Sequence, residues 1–206
     1  MTTFLLIRHA HWDGVGRVLA GRLEGVRLSP TGVAEAAHLA DTLSSLDLAA
    51  VYTSPLERAR ETAAPLARAH GLEAREEPGL LELDFGHWTG EPISGLRDDP
   101  AWHRFNEERA TARIPGGETM AEAVARAREA LLEISSRRGD ALVAVVTHGD
   151  IIRGVVAEAL GLPLDRMLQL EVEPASVSIL VSGPPARVAL LNWRADHLGG
   201  LPLKPL

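Results

Sequence analysis

Two short apolar runs in the chain end in the same way. Phe4-Leu5-Leu6-Ile7 closes on Arg8-His9, and Ala141 to Thr147 (ALVAVVT) closes on His148-Gly149. Neither run alternates polar with apolar residues, so each predicts a strand buried on both faces, as in a parallel sheet. Ligands of open α/β sheets bind at the carboxyl ends of the strands, where both histidines fall. Helical patterns surround these runs. Ser29-Pro30 reads as an N-cap and first-turn proline for an alanine-rich helix ending near Leu46, before a strand at about Ala49 to Thr53. Ser54-Pro55-Leu56-Glu57 has the form of a capping box and predicts a helix to His70-Gly71, disturbed at Pro65. After the short segment Leu80 to Phe85, Asp99-Pro100 opens a helical stretch through Trp102, Phe105 and Arg109, broken by Ile114 to Gly117. Thr119 to Glu122 is a second capping box. Met120, Ala123, Val124, Ala127, Leu131 and Ile134 follow it at helical spacing and predict a core stripe. Asp150 is the expected N-cap for Ile151 to Leu160, stopped by Gly161 and Pro163. Leu168 to Asn192 holds three strand-like pieces, with Gly183-Pro184-Pro185 turning the last two into a hairpin.

Composition narrows the class. A chain of 206 residues can bury one sizeable core, and one domain over 1-206 is expected. No apolar run is long enough to span a bilayer, and Met1-Thr2 leads straight into the first strand without a signal-type segment. The absence of cysteine removes disulfides and thiolate chemistry and fits a cytoplasmic location. A formal net charge of -7 argues against nucleic acid or an anionic membrane as partner. An anionic substrate would need a local cationic pocket.

The residues able to make such a pocket are Arg8, His9, Arg58 and His148, with Glu82 as a carboxylate. Guanidinium presents forked donors suited to a tetrahedral oxyanion, histidine can act as a nucleophile, and a carboxyl can move a proton on a leaving group. Each residue also has a plainer reading. Arg58, in a first helical turn, works against the helix dipole. It is either solvated there or faces an anion together with the free first-turn amides. His9 could be a hydrogen-bonded strand-end residue, and Glu82 a surface carboxylate. Metal ligation by His9 and His148 is the rival chemistry, but Arg8 beside His9 would repel a divalent cation and no HxxxH pair is present. His38, His70 and His197 read as background, Trp88 and Trp102 as packing, and His11 and His87 as ambiguous neighbours of the candidates.

Taken together, these residues resemble the histidine phosphatase superfamily, the phosphoglycerate-mutase-like group. Leu6-Ile7-Arg8-His9-Ala10 is similar to its RHG signature, with alanine for glycine. Ser54 to Thr62 (SPLERARET) is similar to SxLxRAxxT, Leu81 to Gly90 to LxExxFGxWxG, and Val146 to Arg153 to the second-histidine motif. Pro115-Gly116-Gly117-Glu118 resembles a PGGES stretch that opens a helix in many members. The motifs occur in family order from Leu5 to about Pro163.

The resemblance implies a three-layer α/β/α sandwich with a mostly parallel central sheet. It implies a metal-independent phosphatase of a small phosphorylated metabolite, without a cofactor. His9 would take the phosphoryl group, Arg8, Arg58 and His148 would hold its oxygens, and Glu82 would protonate the leaving oxygen. Gly149 and His11 are further substrate-binding candidates. The serine or threonine and the asparagine that usually follow RHG are missing, and His11 or Asp13 stands in their place. The alternatives are a cofactor-dependent phosphoglycerate mutase and a non-catalytic phospho-ligand-binding module. Residues 91-115 give room for a small cap but less for the water-tight lid of a mutase. The oligomeric state stays open, a homodimer included.

Overall fold

The computed structural model describes residues 1–196 and 201. His197 and the tail from 202 lie outside the described residues. The first apolar run forms β1 (Thr3–Arg8) and the second β4 (Leu142–Thr147), paired in parallel from Thr3↔Leu142 to Arg8↔Thr147. β2 (Leu48–Thr53) and β3 (Ala74–Glu76) extend the parallel part on one side. On the other side β5 (Val177–Val181) runs antiparallel to β1, and β6 (Arg187–Trp193) antiparallel to β5. The sheet order is β3-β2-β4-β1-β5-β6.

The missing polar alternation in β1 has a direct explanation: successive side chains enter two different cores. Leu5 and Ile7 pack with α1 (Pro30–Leu43) and α2 (Glu57–Ala69). Phe4 and Leu6 pack with α4 (Met120–Arg138) and α5 (Gly149–Leu160). The result is a sheet between two helical layers. Every residue of the stripe from Met120 to Ile134 is buried, and the Thr119–Glu122 capping box is formed in both directions. Ser29 caps α1 by accepting from the Gly32 amide, although α1 ends at Leu43, earlier than the alanine pattern suggests. Between β3 and α4 the chain is mostly coil and short 3-10 turns, with one helix, α3 (Pro100–Glu107), capped by Asp99. Its Phe105 packs with Trp88 and Trp102 in an aromatic cluster, so both tryptophans are packing residues. Among the described residues no helix is long and apolar enough to cross a membrane.

Three expectations fail, each for a local reason. Ser54 does not cap α2; Leu56 holds the N-cap position without a side-chain bond. The Ser54 hydroxyl is instead taken up by His148, and the Glu57 carboxylate reaches the Gly25 amide. Asp150 is not the cap of α5, because the helix begins at Gly149 with His148 at the N-cap, and Asp150 pairs with Arg153 within the first turn. The first of the three strand-like pieces is no strand: Leu164–Gln169 is a 3-10 turn, which buries Met167 beneath α5. The two later pieces form the hairpin.

Candidate active site

The parallel register brings Arg8, His9 and His148 to one edge of the sheet, at the carboxyl ends of β1 and β4. The strand ladder continues one step past β1, since the His9 amide donates to the Thr147 carbonyl at 2.9 Å. Arg58 reaches the same place from the first turn of α2, and its side chain is almost wholly buried, with 1% of the residue exposed. A buried cation carries a large desolvation penalty unless fixed partners offset it. Arg58 has neutral ones. Its Nη2 donates to the Gly21 carbonyl at 2.7 Å and meets His148 Nδ1 at 3.2 Å, while its Nε donates to His9 Nε2 at 3.3 Å.

These bonds settle both imidazole tautomers. His9 Nδ1 lies 2.9 Å from the Ala10 carbonyl, which can only accept, so Nδ1 carries the proton and Nε2 carries the lone pair. His148 is reversed. Its Nδ1 accepts from Arg58, so Nε2 carries the proton and donates to Ser54 Oγ at 2.8 Å. The ring centroids stand 5.2 Å apart, edge to face. Burial first, and then the Arg58 charge, hold both histidines well below the usual imidazole range, so both are neutral at neutral pH. Thr62, one turn beyond Arg58, supports the arrangement: its hydroxyl donates to the Arg58 carbonyl and accepts from the Ala10 amide.

Two guanidinium donors are left over. Arg8 Nη1 donates to the Val172 carbonyl at 2.7 Å, but among the described residues Arg8 Nε has no partner, and neither has Arg58 Nη1. Both residues line a cleft of about 190 Å³ with His9, Glu82 and Gly149. Buried unpaired donors are rare in native proteins, and two cations converging on one cleft make a site for an oxyanion. Glu82 faces the same cleft and is also buried. Its Oε1 accepts from the Leu83 amide at 2.9 Å. Burial first, and then the neighbouring Asp150 charge, raise its pKa to about 7, which leaves a carboxyl able to give and take a proton at neutral pH.

Five of the seven candidates therefore line the cleft: Arg8, His9, Arg58, Glu82 and Gly149. His148 stands behind Arg58 and His9 rather than on the wall. His11 is turned away, with Nδ1 on the Ser29 hydroxyl at 2.8 Å, and Trp12, Val15 and Gly16 of the same loop form the wall instead. His87 is exposed and lies against Gly116. Asp150 and Arg153, paired at 3.1 Å, also line the cleft, and neither was singled out for chemistry from the sequence. Their i,i+3 spacing after His148-Gly149 was the available signal. Ser54 was hidden because its cap-like context offered a sufficient local explanation.

Comparison with known proteins agrees with this geometry. The family model described as "Histidine phosphatase superfamily (branch 1)" matches residues 4–194. The chain belongs to that superfamily and has the class of a phosphomonoesterase. It is 32% identical over 203 residues to phosphoserine phosphatase 1 of Hydrogenobacter thermophilus, covering 97% of this chain and 95% of that one. It is 31% identical to a probable phosphoglycerate mutase of Serratia proteamaculans, over 86% of this chain and 84% of the other. The solved structure of a mycobacterial glucosyl-3-phosphoglycerate phosphatase superposes with a TM-score of 0.82 at 27% identity, over 92% of this chain and 98% of that one.

Proposed function

We propose that the protein hydrolyses a small phosphorylated metabolite through a phosphohistidine at His9, without a metal ion. The observation that carries this reading is the His9 lone pair. The Ala10 carbonyl holds the proton on Nδ1, and Nε2 points at Arg58 in a cleft where two guanidinium donors lack partners. In the first step Nε2 attacks phosphorus, the bond to the ester oxygen breaks, and the Glu82 carboxyl gives that oxygen its proton as the alcohol leaves. The Ala10 carbonyl accepts from Nδ1–H throughout, stabilising the positive charge that develops on the ring. In the second step water attacks phosphorus, Glu82 takes the water proton, and the phosphorus–nitrogen electrons return to Nε2. Arg8 and Arg58 neutralise the equatorial oxygens, where the charge of such a transition state is spread. His148 acts on those oxygens through Arg58, whose Nη2 donates to the His148 Nδ1 lone pair.

The chain is read as one catalytic domain with 91–115 as a small cap. Ile93 of this stretch lines the cleft, while α3 is tied down by its aromatic cluster. A cleft of about 190 Å³ suits a substrate smaller than the drug-sized ligands that fill pockets of roughly 300 Å³ or more. Phosphoserine is the first compound to try, given the phosphoserine phosphatase relative. The mutase reading draws on the Serratia relative and requires the phosphohistidine to be kept from water. Brief exposure to labelled substrate should give an acid-labile, base-stable phosphoenzyme that is absent in His9→Ala. Activity should survive exhaustive chelation and be inhibited by vanadate. A stable seryl or aspartyl phosphate would refute the mechanism, and isomerisation of phosphoglycerates with negligible phosphate release would favour the mutase.

A further inference from the structure

Glu82 is carried by coil, and among the described residues its carboxylate has one bond, from the adjacent Leu83 amide. A proton donor misplaced by about 1 Å can lose roughly 10²-fold in rate, so something else must fix this segment. Glu118 does so from the stretch that precedes α4. One of its oxygens, Oε1, accepts from Arg22 Nη2 at 2.8 Å, from Arg126 Nη2 at 2.8 Å and from the Asp84 amide at 3.0 Å. The two guanidiniums so held then grip the Glu82 segment by its carbonyls. Arg22 Nε donates to the Glu82 carbonyl at 3.0 Å. Arg126 Nη1 donates to the carbonyls of Gly79 and Leu81, at 2.7 and 2.9 Å.

The backbones are also in contact. The His87 amide donates to the Pro115 carbonyl at 2.9 Å, and the Glu118 amide to the Asp84 carbonyl at 3.2 Å. A Cβ on Gly117 would fall 2.2 Å from the Asp84 carbonyl oxygen, and one on Gly86 would fall 2.3 Å from that of Pro115. Only glycine allows the two segments to meet this closely. The clamp also reaches the cation side of the cleft, since Arg22 follows Gly21, whose carbonyl holds Arg58.

The geometry points to Glu118 as a positioning residue that sets where Glu82 delivers its proton, acting through Arg22 and Arg126. The inference rests on the reading of Glu82 as general acid. Without the Glu118 charge, two neighbouring guanidiniums lose their shared counter-ion and repel each other, and the carbonyls they hold are released. Glu118→Gln keeps the size and removes the charge. An alkyl phosphate such as phosphoserine needs its leaving oxygen protonated, whereas p-nitrophenyl phosphate releases a stabilised phenolate and needs the acid far less.

The expected result is a loss in kcat of about 10- to 100-fold on the alkyl ester, several times larger than on the aryl ester, with vanadate affinity within about threefold of wild type. Arg126→Lys, which keeps the charge but cannot reach the carbonyls with one nitrogen and Glu118 with another, should show the same selectivity to a smaller degree and covers the case in which Glu118→Gln does not fold. Equal losses on the two esters, or wild-type rates on both, in whichever variants fold would overturn the positioning role. Failure of the underlying reading looks different: Glu82→Gln itself would then not discriminate between the esters.

Discussion

The two sides of the cleft fix their backbones by different means. On the histidine side the chain enters directly from the sheet. The amides of His9 and Ser54 donate to the carbonyls of Thr147 and Val146, each at 2.9 Å, so the β1, β2 and β4 ladders extend up to the reacting groups. On the Glu82 side there is no ladder. The carbonyls of Gly79, Leu81 and Glu82 turn toward the guanidiniums of Arg22 and Arg126, which share the Glu118 carboxylate, while the Leu80 carbonyl accepts from the Thr147 hydroxyl at 2.7 Å. Buried carbonyls need donors in either case. A strand supplies them at fixed spacing, whereas a guanidinium supplies five in a fork and can serve a backbone with no regular repeat. On the proposed reading, the oxyanion site is fixed by the sheet and the proton donor by side chains that grip a coil.

Removing the acid should have the largest effect and should be confined to one side. Glu82→Gln is expected to slow hydrolysis of an alkyl phosphate by about 10²- to 10⁴-fold and to leave vanadate binding largely unchanged. The pH dependence follows from the two directions of shift. As the proposed general acid, Glu82 acts protonated, and burial pushes its pKa up to about 7, so kcat/KM on an alkyl ester should fall as pH rises through that value. His9 must be neutral and is held well below its usual range, so activity should persist into mildly acid solution. The variant should lack the alkaline limb. A wild-type alkaline limb in Glu82→Gln would assign the proton to another group.

Next in size is Arg58→Ala, the corresponding break on the sheet side. On the proposed reading it removes the charge that faces the phosphoryl oxygens, so turnover and vanadate affinity should both fall, by about 10²- to 10³-fold, to the same degree for alkyl and aryl esters. Loss of turnover with wild-type vanadate affinity would mean that Arg58 serves only to orient His9 and His148.

The same contrast explains what the sequence disclosed. β1 and β4 were legible because a buried parallel strand writes itself as an unbroken apolar run, and the basic residues after it are then placed by topology. α4 was legible from its capping box and its stripe. The cationic candidates could be named for the same reason, and four cleft residues, Arg8, His9, Arg58 and Gly149, sit next to regular elements. Ser54 misled because S-P-L-E satisfies a local rule, while the hydroxyl is claimed by His148, 94 residues away. The roles of Glu118, Arg22 and Arg126 left no period to find. Arg22 lies 96 positions from Glu118, and only the folded chain shows that they share an oxygen. His11 was suspected from its nearness to His9, yet the chain turns at Ala10 and sends the imidazole to Ser29.

The smallest effect is on stability and carries the opposite sign to the loss of activity. Burial that keeps Glu82 protonated near neutrality also opposes folding there. Well below the ordinary carboxylate value of 4.5 the group is protonated in both folded and unfolded chains and contributes nothing. As pH rises toward about 7, the unfolded chain releases its proton while the folded chain retains it, so stability falls across that window and levels off above it. A shift of this size corresponds to at most about 3 kcal/mol, and solvent reaching the cleft reduces it. Glu82→Gln carries no charge to desolvate. It should therefore unfold at higher denaturant than wild type at pH 8 and at nearly the same denaturant at pH 4.5. Urea titrations at the two pH values measure the difference directly, with an unchanged m-value as the check that both proteins unfold alike. If the variant were no more stable than wild type at pH 8, Glu82 would be ionised in the folded protein at that pH without penalty. The alkaline limb of the rate profile would then have to come from elsewhere.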